Sequence, residues 1–168
     1  MYYVTEKGLF NGTGGNNFSP EASMTRAMFV TVLGRYAESL GEDISGYSNS
    51  FNDVPAGQWY TDYVSWGADK VIVKGYSATA FGPNDNLTRE QMAALIARFV
   101  DYMGIDLSSD VSVSYSDASS IGNWAADSVE IVSAAAIMQG SNGMFRPQGT
   151  ATRAEVAQVL MNLIESIG

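Results

Sequence analysis

Phe81-Gly82-Pro83-Asn84-Asp85-Asn86-Leu87-Thr88-Arg89 has two counterparts in the same chain. Phe18-Ser19-Pro20-Glu21-Ala22-Ser23-Met24-Thr25-Arg26 lies 63 residues before it, and Phe145-Arg146-Pro147-Gln148-Gly149-Thr150-Ala151-Thr152-Arg153 lies 64 residues after it. Phe, Pro, Thr and Arg keep their places in all three, so three of the chain's 4 prolines share one repeat position. Self-similarity at a fixed period marks tandem structural units rather than one unrepeated fold. Upstream of each Phe stands a glycine, Gly12, Gly75 or Gly140. Farther upstream, Phe51-Asn52-Asp53-Val54 pairs with Tyr115-Ser116-Asp117-Ala118, and Trp59 pairs with Trp124. The first copy has no such segment. Carrying the 63-residue spacing backwards sets Met1 opposite Val64, so the first copy is expected to begin inside a helix, shortened at its start.

The residues after each Thr-Arg pair read as helix. Phe29, Val32, Leu33, Tyr36 and Leu40 recur at helical spacing, as do Met92, Leu95, Ile96, Phe99 and Met103, and Val156, Val159, Leu160, Leu163 and Ile167. Each set forms one apolar stripe of an amphipathic helix, which belongs in a core. Thr25, Thr88 and Thr152 stand where an N-cap is needed, and Gln91 and Glu155 complete capping-box patterns in the second and third copies. Met28 interrupts that pattern in the first. A second helix per copy is predicted over residues 59–73 and 124–138, with only its end, residues 2–10, in the first copy. That remnant is too short to be stable unless it packs on its neighbours. Residues 12–24, 75–87 and 140–151 read as loops between helices. The predicted fold is mainly α, one domain over 1–168 made of repeats 1–45 (truncated), 46–109 and 110–168.

Composition removes many function classes. The chain of 168 residues is 46% hydrophobic, enough for one folded domain of ordinary size. Neither cysteine nor histidine occurs, which excludes disulfides, thiolate nucleophiles and the commonest metal ligands and general bases. A net charge of −9 argues against nonspecific binding to nucleic acid or anionic membranes, and no apolar run is long enough to span a bilayer. Asn84-Asp85-Asn86 lacks the glycine and terminal glutamate of a calcium loop. No cofactor or metal is therefore expected. The N-terminus lacks the pattern of a signal peptide, which leaves a cytosolic protein and a piece of an exported one both open.

The few cations are periodic. Arg26, Arg89 and Arg153 share one repeat position, Lys7 and Lys70 another, and Arg35 matches Arg98, while Lys74 precedes a repeat glycine. At the first position of a helix an arginine opposes the dipole, so these three need another explanation. Two are open. Each could pair with an acid of the next copy, such as Asp53 or Asp117, and clamp the repeats together. Alternatively, free N–H groups at the helix start and the adjacent guanidinium could take a carboxylate or phosphate. Trp59 and Trp124 could pack in the core or stack on sugar rings. Asp53, Asp117 and Glu155 could in principle pair across a cleft as in a glycosidase, but no spacing demands it.

Taken together, these motifs resemble those of the S-layer homology (SLH) domains of bacterial surface proteins. The resemblance rests on Phe51-x-Asp53-Val54, Trp59, Val71-Ile72-Val73-Lys74-Gly75, Phe81-x-Pro83 and Thr88-Arg89-Glu90-Gln91, and in the third copy on Tyr115-x-Asp117, Trp124, Ala136-Ile137-Met138-Gln139-Gly140, Phe145-x-Pro147 and Thr152-Arg153-Ala154-Glu155. It implies three repeats closing into a pseudo-threefold spindle around a central three-helix bundle, with grooves between repeats. It also implies a noncatalytic role at the bacterial cell surface or cell wall, anchoring a larger protein to the peptidoglycan-linked secondary cell wall polysaccharide, often through a pyruvylated N-acetylmannosamine end. By position, Arg26, Arg89 and Arg153 become the anion binders, Trp59, Trp124, Asp53, Asp117, Gly12, Gly75 and Gly140 shape the grooves, and Lys7 and Lys70 assist. The shortened first copy leaves a second reading, a structural module for surface-layer assembly or self-association through the exposed apolar stripe.

Overall fold

Each Thr-Arg pair opens a long helix in the computed structural model, which describes residues 19–167. In chain order the helices are α1 (Arg26–Ser39), α2 (Thr61–Asp69), α3 (Arg89–Tyr102), α4 (Ala126–Ala134) and α5 (Arg153–Ile167), with a 3₁₀ turn at Ala118–Ser120. Among the described residues there is no sheet, only isolated bridges. The predicted helix at residues 2–10, together with Lys7 and Gly12, lies outside the described residues, and so does the shortened start of the first copy. No helix among them is long and apolar enough to cross a membrane.

The long helices start where the sequence says because a threonine hydroxyl accepts the third backbone N–H. Thr25 Oγ1 takes Met28 N–H at 3.1 Å, Thr88 Oγ1 takes Gln91 N–H at 3.3 Å, and Thr152 Oγ1 takes Glu155 N–H at 3.2 Å. A cap of this kind stabilises by about 1 kcal/mol. At α3 the box is complete, since Gln91 Oε1 accepts Thr88 N–H at 3.1 Å. Glu155 does otherwise: its carboxylate reaches across to Arg89. The apolar stripes are buried along α1, α3 and α5, and only their last members (Leu40, Met103 and Ile167) rise toward the surface. Each short helix lies against the long helix before it, α2 on α1 and α4 on α3, and α1 also meets α3.

The repeats are joined by the loops that precede the threonines. Leu87 N–H donates to Met24 C=O at 2.8 Å, Ala151 N–H to Leu87 C=O at 2.9 Å, and Met24 N–H to Ala151 C=O at 3.0 Å. A second ring runs beside the first. Arg26 N–H donates to Asp85 C=O, Arg89 N–H to Gly149 C=O and Arg153 N–H to Ala22 C=O, while the next N–H in each helix, that of Ala27, Glu90 or Ala154, meets Pro83, Pro147 or Pro20 C=O. Bonds of one kind thus join each repeat to the next and the third back to the first. The first three N–H groups of every long helix are therefore taken, the third by its threonine. This corrects the expectation of free helix-terminal donors for an anion: buried N–H groups need partners, and the next repeat's carbonyls supply them.

The short helices end earlier than their apolar pattern predicts. Ile72 N–H returns to Gly67 C=O at 2.8 Å and Val71 N–H to Ala68 C=O at 3.2 Å, with Val71 at φ 60°. Ile137, Ala136 and their acceptors Val132 and Ser133 repeat the arrangement, with Ala136 at φ 56°. This is a Schellman end, normally marked by glycine. Here a valine and an alanine occupy the left-handed position, so nothing in residue type announces the stop. Beyond it Ile72 and Val73 are buried and Lys74 is exposed.

Candidate functional site

Arg26 is buried at the start of α1, and its side chain crosses into the second repeat. Its Nε donates to Phe81 C=O at 3.0 Å, and its guanidinium lies over the rings of Tyr76 and Phe81, 4.4 and 4.9 Å from their centres. Burial pushes its pKa down, and nearby Tyr76, Asp85 and Asp53 pull it back up. A guanidinium keeps its proton throughout. Among the described residues no carboxylate forms an ion pair with it.

Those two aspartates are occupied elsewhere. Tyr76 Oη donates to Asp85 Oδ2 at 2.9 Å, which holds the ring over Arg26. Asp53 accepts Phe81 N–H at 2.9 Å and Gly82 N–H at 2.8 Å, one on each carboxylate oxygen. Its partial burial raises the pKa, but these bonds outweigh that and hold it below the usual carboxylate range. Asp117 repeats the bond pair on Phe145 and Arg146 N–H, and its pKa is likewise lowered, first by the Phe145 bond. Both aspartates therefore fasten loops within their own repeats, and neither is the hydrogen-bonded partner of a repeat arginine.

A cavity of about 330 Å³ opens beside Arg26. Val73, Lys74, Gly75 and Tyr76 form one wall, the α3 residues Gln91, Ala94, Leu95 and Arg98 another, and Trp124 of the third repeat the rim. Arg98 donates to Ile72 C=O at 3.4 Å, and its pKa is lowered first by burial and then by the like charge of Arg26. Two guanidinium groups thus face one space, with Lys74 beside them and no acid among the described residues of the wall. Trp124, 56% exposed, is set there indirectly. Buried Glu90 accepts Gly122 N–H at 2.9 Å, and the indole lies against Gly122 so closely that a Cβ would fall 2.5 Å from Nε1. Gly75 is required by close approach: its φ is 68°, and a Cβ would meet Phe51 Cε1 at 2.6 Å and Ala80 O at 2.7 Å. A larger groove of about 400 Å³ between α3 and α4 is lined by Asp101 and Glu130, with no cation among its described lining residues.

The sequence matches the S-layer homology domain at residues 1–28, 50–93 and 114–157. The chain belongs to the S-layer homology domain family. It is 34% identical over 161 residues to an endoglucanase of Bacillus sp. (strain KSM-635), which covers 95% of this chain and 17% of that protein. With the surface-layer 125 kDa protein of Lysinibacillus sphaericus it shares 32% over 168 residues, 98% of this chain and 14% of the relative. A cellulosome-anchoring protein of Acetivibrio thermocellus is 35% identical over 101 residues, 59% of this chain and 22% of the other. The SLH chain thus spans a small fraction of each of these relatives.

Of the candidate residues, the SLH fold brings Arg26, Gly75 and Trp124 into one cavity, with Asp53 behind it. Arg89 takes the corresponding place in the next repeat: Nε donates to Phe145 C=O at 2.7 Å, one terminal nitrogen to Gln139 C=O at 2.8 Å, and the other pairs with Glu155. Gly140 sits where a Cβ would strike Met144 O, and lines a separate, mostly apolar groove. Arg153 is buried at the start of α5, and burial lowers its pKa. Trp59 is 56% exposed ahead of α2, edge-on to Tyr60 and away from the Arg26 cavity. Lys70 pairs with Asp69 at 3.3 Å and lies over the rings of Tyr47 and Tyr102, also away from the cavity. In the sequence Lys74 and Arg98 stand among the periodic cations, Gln91 reads as part of a helix cap, and Tyr76 carries no motif, so none of the four is marked as a site residue. Their signal is three-dimensional, because α3 and the 73–76 turn converge only through the packed core.

Proposed function

We propose that this SLH chain is a noncatalytic anchoring module that holds a larger protein to the bacterial cell wall. Its ligand is an anionic saccharide of the secondary cell wall polysaccharide, a pyruvylated N-acetylmannosamine end, bound in the Arg26 cavity. The observation that carries the reading is the convergence of Arg26, Arg98 and Lys74 on one cavity with no acid among the described residues of its wall, in a protein of net charge −9. Two like charges held together are costly until an anion joins them, and a guanidinium pair suits a carboxylate held at two oxygens. Tyr76 and Trp124 supply aromatic lining against which a sugar can pack. The relatives named for surface layers and for cellulosome anchoring fit this role. Matches to an endoglucanase fall on 17% of that protein and are read as a shared attachment module. The carboxylates that would have to act as a glycosidase pair each have another task, Asp53 and Asp117 in their loops and Glu155 on Arg89.

Calorimetric titration with a synthetic pyruvylated N-acetylmannosamine glycoside, beside the same glycoside without pyruvyl, tests the proposal. Only the pyruvylated sugar should bind, and Arg26→Ala or Arg98→Ala should weaken it at least tenfold. Equal binding of both sugars, or full affinity in the Arg26→Ala/Arg98→Ala double variant, would overturn the assignment.

A further inference from the structure

Arg26 and Arg89 stand among equivalent repeat positions, yet charges differ at several of them, three of which bear on the comparison. Lys74 becomes Gln139, Gln91 becomes Glu155 and Arg98 becomes Asn162. The last exchange keeps its place in the fold: Arg98 donates to Ile72 C=O, and Asn162 Nδ2 donates to the equivalent Ile137 C=O at 3.1 Å. The formal charge of these groups, counted with the motif arginine, is +3 around Arg26 and 0 around Arg89, and becomes +2 and +1 once nearby Asp85 and Arg146 are included. The two acceptors at the middle position also behave differently. Gln91 turns its oxygen back onto Thr88 N–H and, being neutral, offers Arg26 no ion pair, whereas Glu155 reaches over to Arg89.

We propose that the residue three places after the repeat threonine gates the motif arginine of the preceding repeat, and that Glu155 closes off Arg89 and turns it into an internal clasp between the second and third repeats. Every polar partner of the Arg89 guanidinium then comes from the third repeat: Phe145 C=O, Gln139 C=O and the Glu155 carboxylate. An external anion would have to displace a carboxylate tethered to the same chain, which competes at a high effective concentration. Asn162 and Gln139 are neutral, which leaves nearby Arg146 as the cation that could share such an anion. The two answers open to a repeat arginine are thus divided within one molecule. Arg26 faces a ligand site, and Arg89 holds the repeats together.

The ligand arm of this inference rests on the wall-polysaccharide reading, and the stability arm does not. In thermal unfolding, Arg89→Met and Glu155→Gln should each lower the midpoint by about 4–8 °C, and the double variant should fall little further than the larger single. The same cycle at Arg26 and Gln91 should be additive. With the pyruvylated glycoside, Gln91→Glu should weaken binding at least tenfold by copying the third repeat's gate, while Arg89→Met should leave the affinity within twofold. Additive losses at Arg89 and Glu155 would overturn the clasp. An Arg89→Met variant that loses affinity as Arg26→Ala does, or a Gln91→Glu variant that binds normally, would overturn the gate. Should the native chain bind no glycoside while the Arg89–Glu155 cycle is coupled, the ligand reading fails and the clasp stands.

Discussion

Replacing Gly75 by alanine combines two costs that the geometry allows to be separated. The residue has φ 68°, where a Cβ meets the flanking carbonyl oxygen and an L residue loses about 1–2 kcal/mol. The added methyl would also stand 2.6 Å from Phe51 Cε1, 2.7 Å from Ala80 O and 2.9 Å from Ser77 O. Two of these neighbours are backbone oxygens, which cannot swing aside, and overpacking of this kind costs about 1–3 kcal/mol. Stiffening the unfolded chain returns about 0.4–1 kcal/mol. The net loss is about 2–4 kcal/mol, or about 4–16 °C in the unfolding midpoint of a domain this size. Gly140 supplies the control. Its φ is not left-handed, but a Cβ there would strike Met144 O and lie 2.6 Å from Tyr115 Cε1. Gly140→Ala should therefore be less damaging by about the 1–2 kcal/mol of the conformational part. Scanning calorimetry on both variants decides it. A Gly75→Ala midpoint within about 1 °C of the parent, or equal losses at the two glycines, would show that the conformational argument is wrong.

The Schellman ends give a prediction of opposite sign: Ala136→Gly relieves a left-handed alanine at an exposed site and should raise the midpoint by about 1–4 °C in the same calorimeter. Removing the carboxylate that holds the Trp124 loop, by Glu90→Ala, leaves Gly122 N–H without its acceptor. It should cost about 1–2 kcal/mol in urea unfolding and shift the tryptophan emission, whereas Glu90→Gln, which keeps an acceptor oxygen, should lie nearer the parent. Acid should act through the loop aspartates. Asp53 and Asp117 have folded pKa values below their unfolded ones, so their contribution is complete above about pH 4 and is lost as the pH falls through the lowered folded values. An Asp53→Asn/Asp117→Asn variant should be less stable at neutral pH and show a flatter loss in acid, measured as the urea midpoint against pH.

How far the sequence carried depends on the kind of physics at each position. The long helices were legible because their determinants are local: an apolar stripe, a threonine cap and a proline shortly before it, three times over. The short helices were overextended because their stop is a backbone conformation carried by Val71 and Ala136, residues whose type disguises it. Within the site, Arg26, Gly75 and Trp124 were found through their repeat positions, while Tyr76, Lys74, Gln91 and Arg98 were not assigned to it. Repeat position also suggested equal arginines, and here it misled. Arg26 and Arg89 hold the same place and donate to the carbonyls of equivalent phenylalanines, yet among the described residues Arg89 meets a carboxylate and Arg26 does not.

By itself, then, the sequence determined the helical class, the period, the caps and the family, since each is written in residue types at fixed separations along the chain. Only the tertiary structure decided what the repeat arginines touch. The closing loops consume the helix-terminal N–H groups, the 73–76 turn carries Lys74 and Tyr76 to α3, and Glu155 reaches from α5 to Arg89. A charge acts through the few ångströms around it, and those neighbours come from repeats more than fifty residues away in the chain.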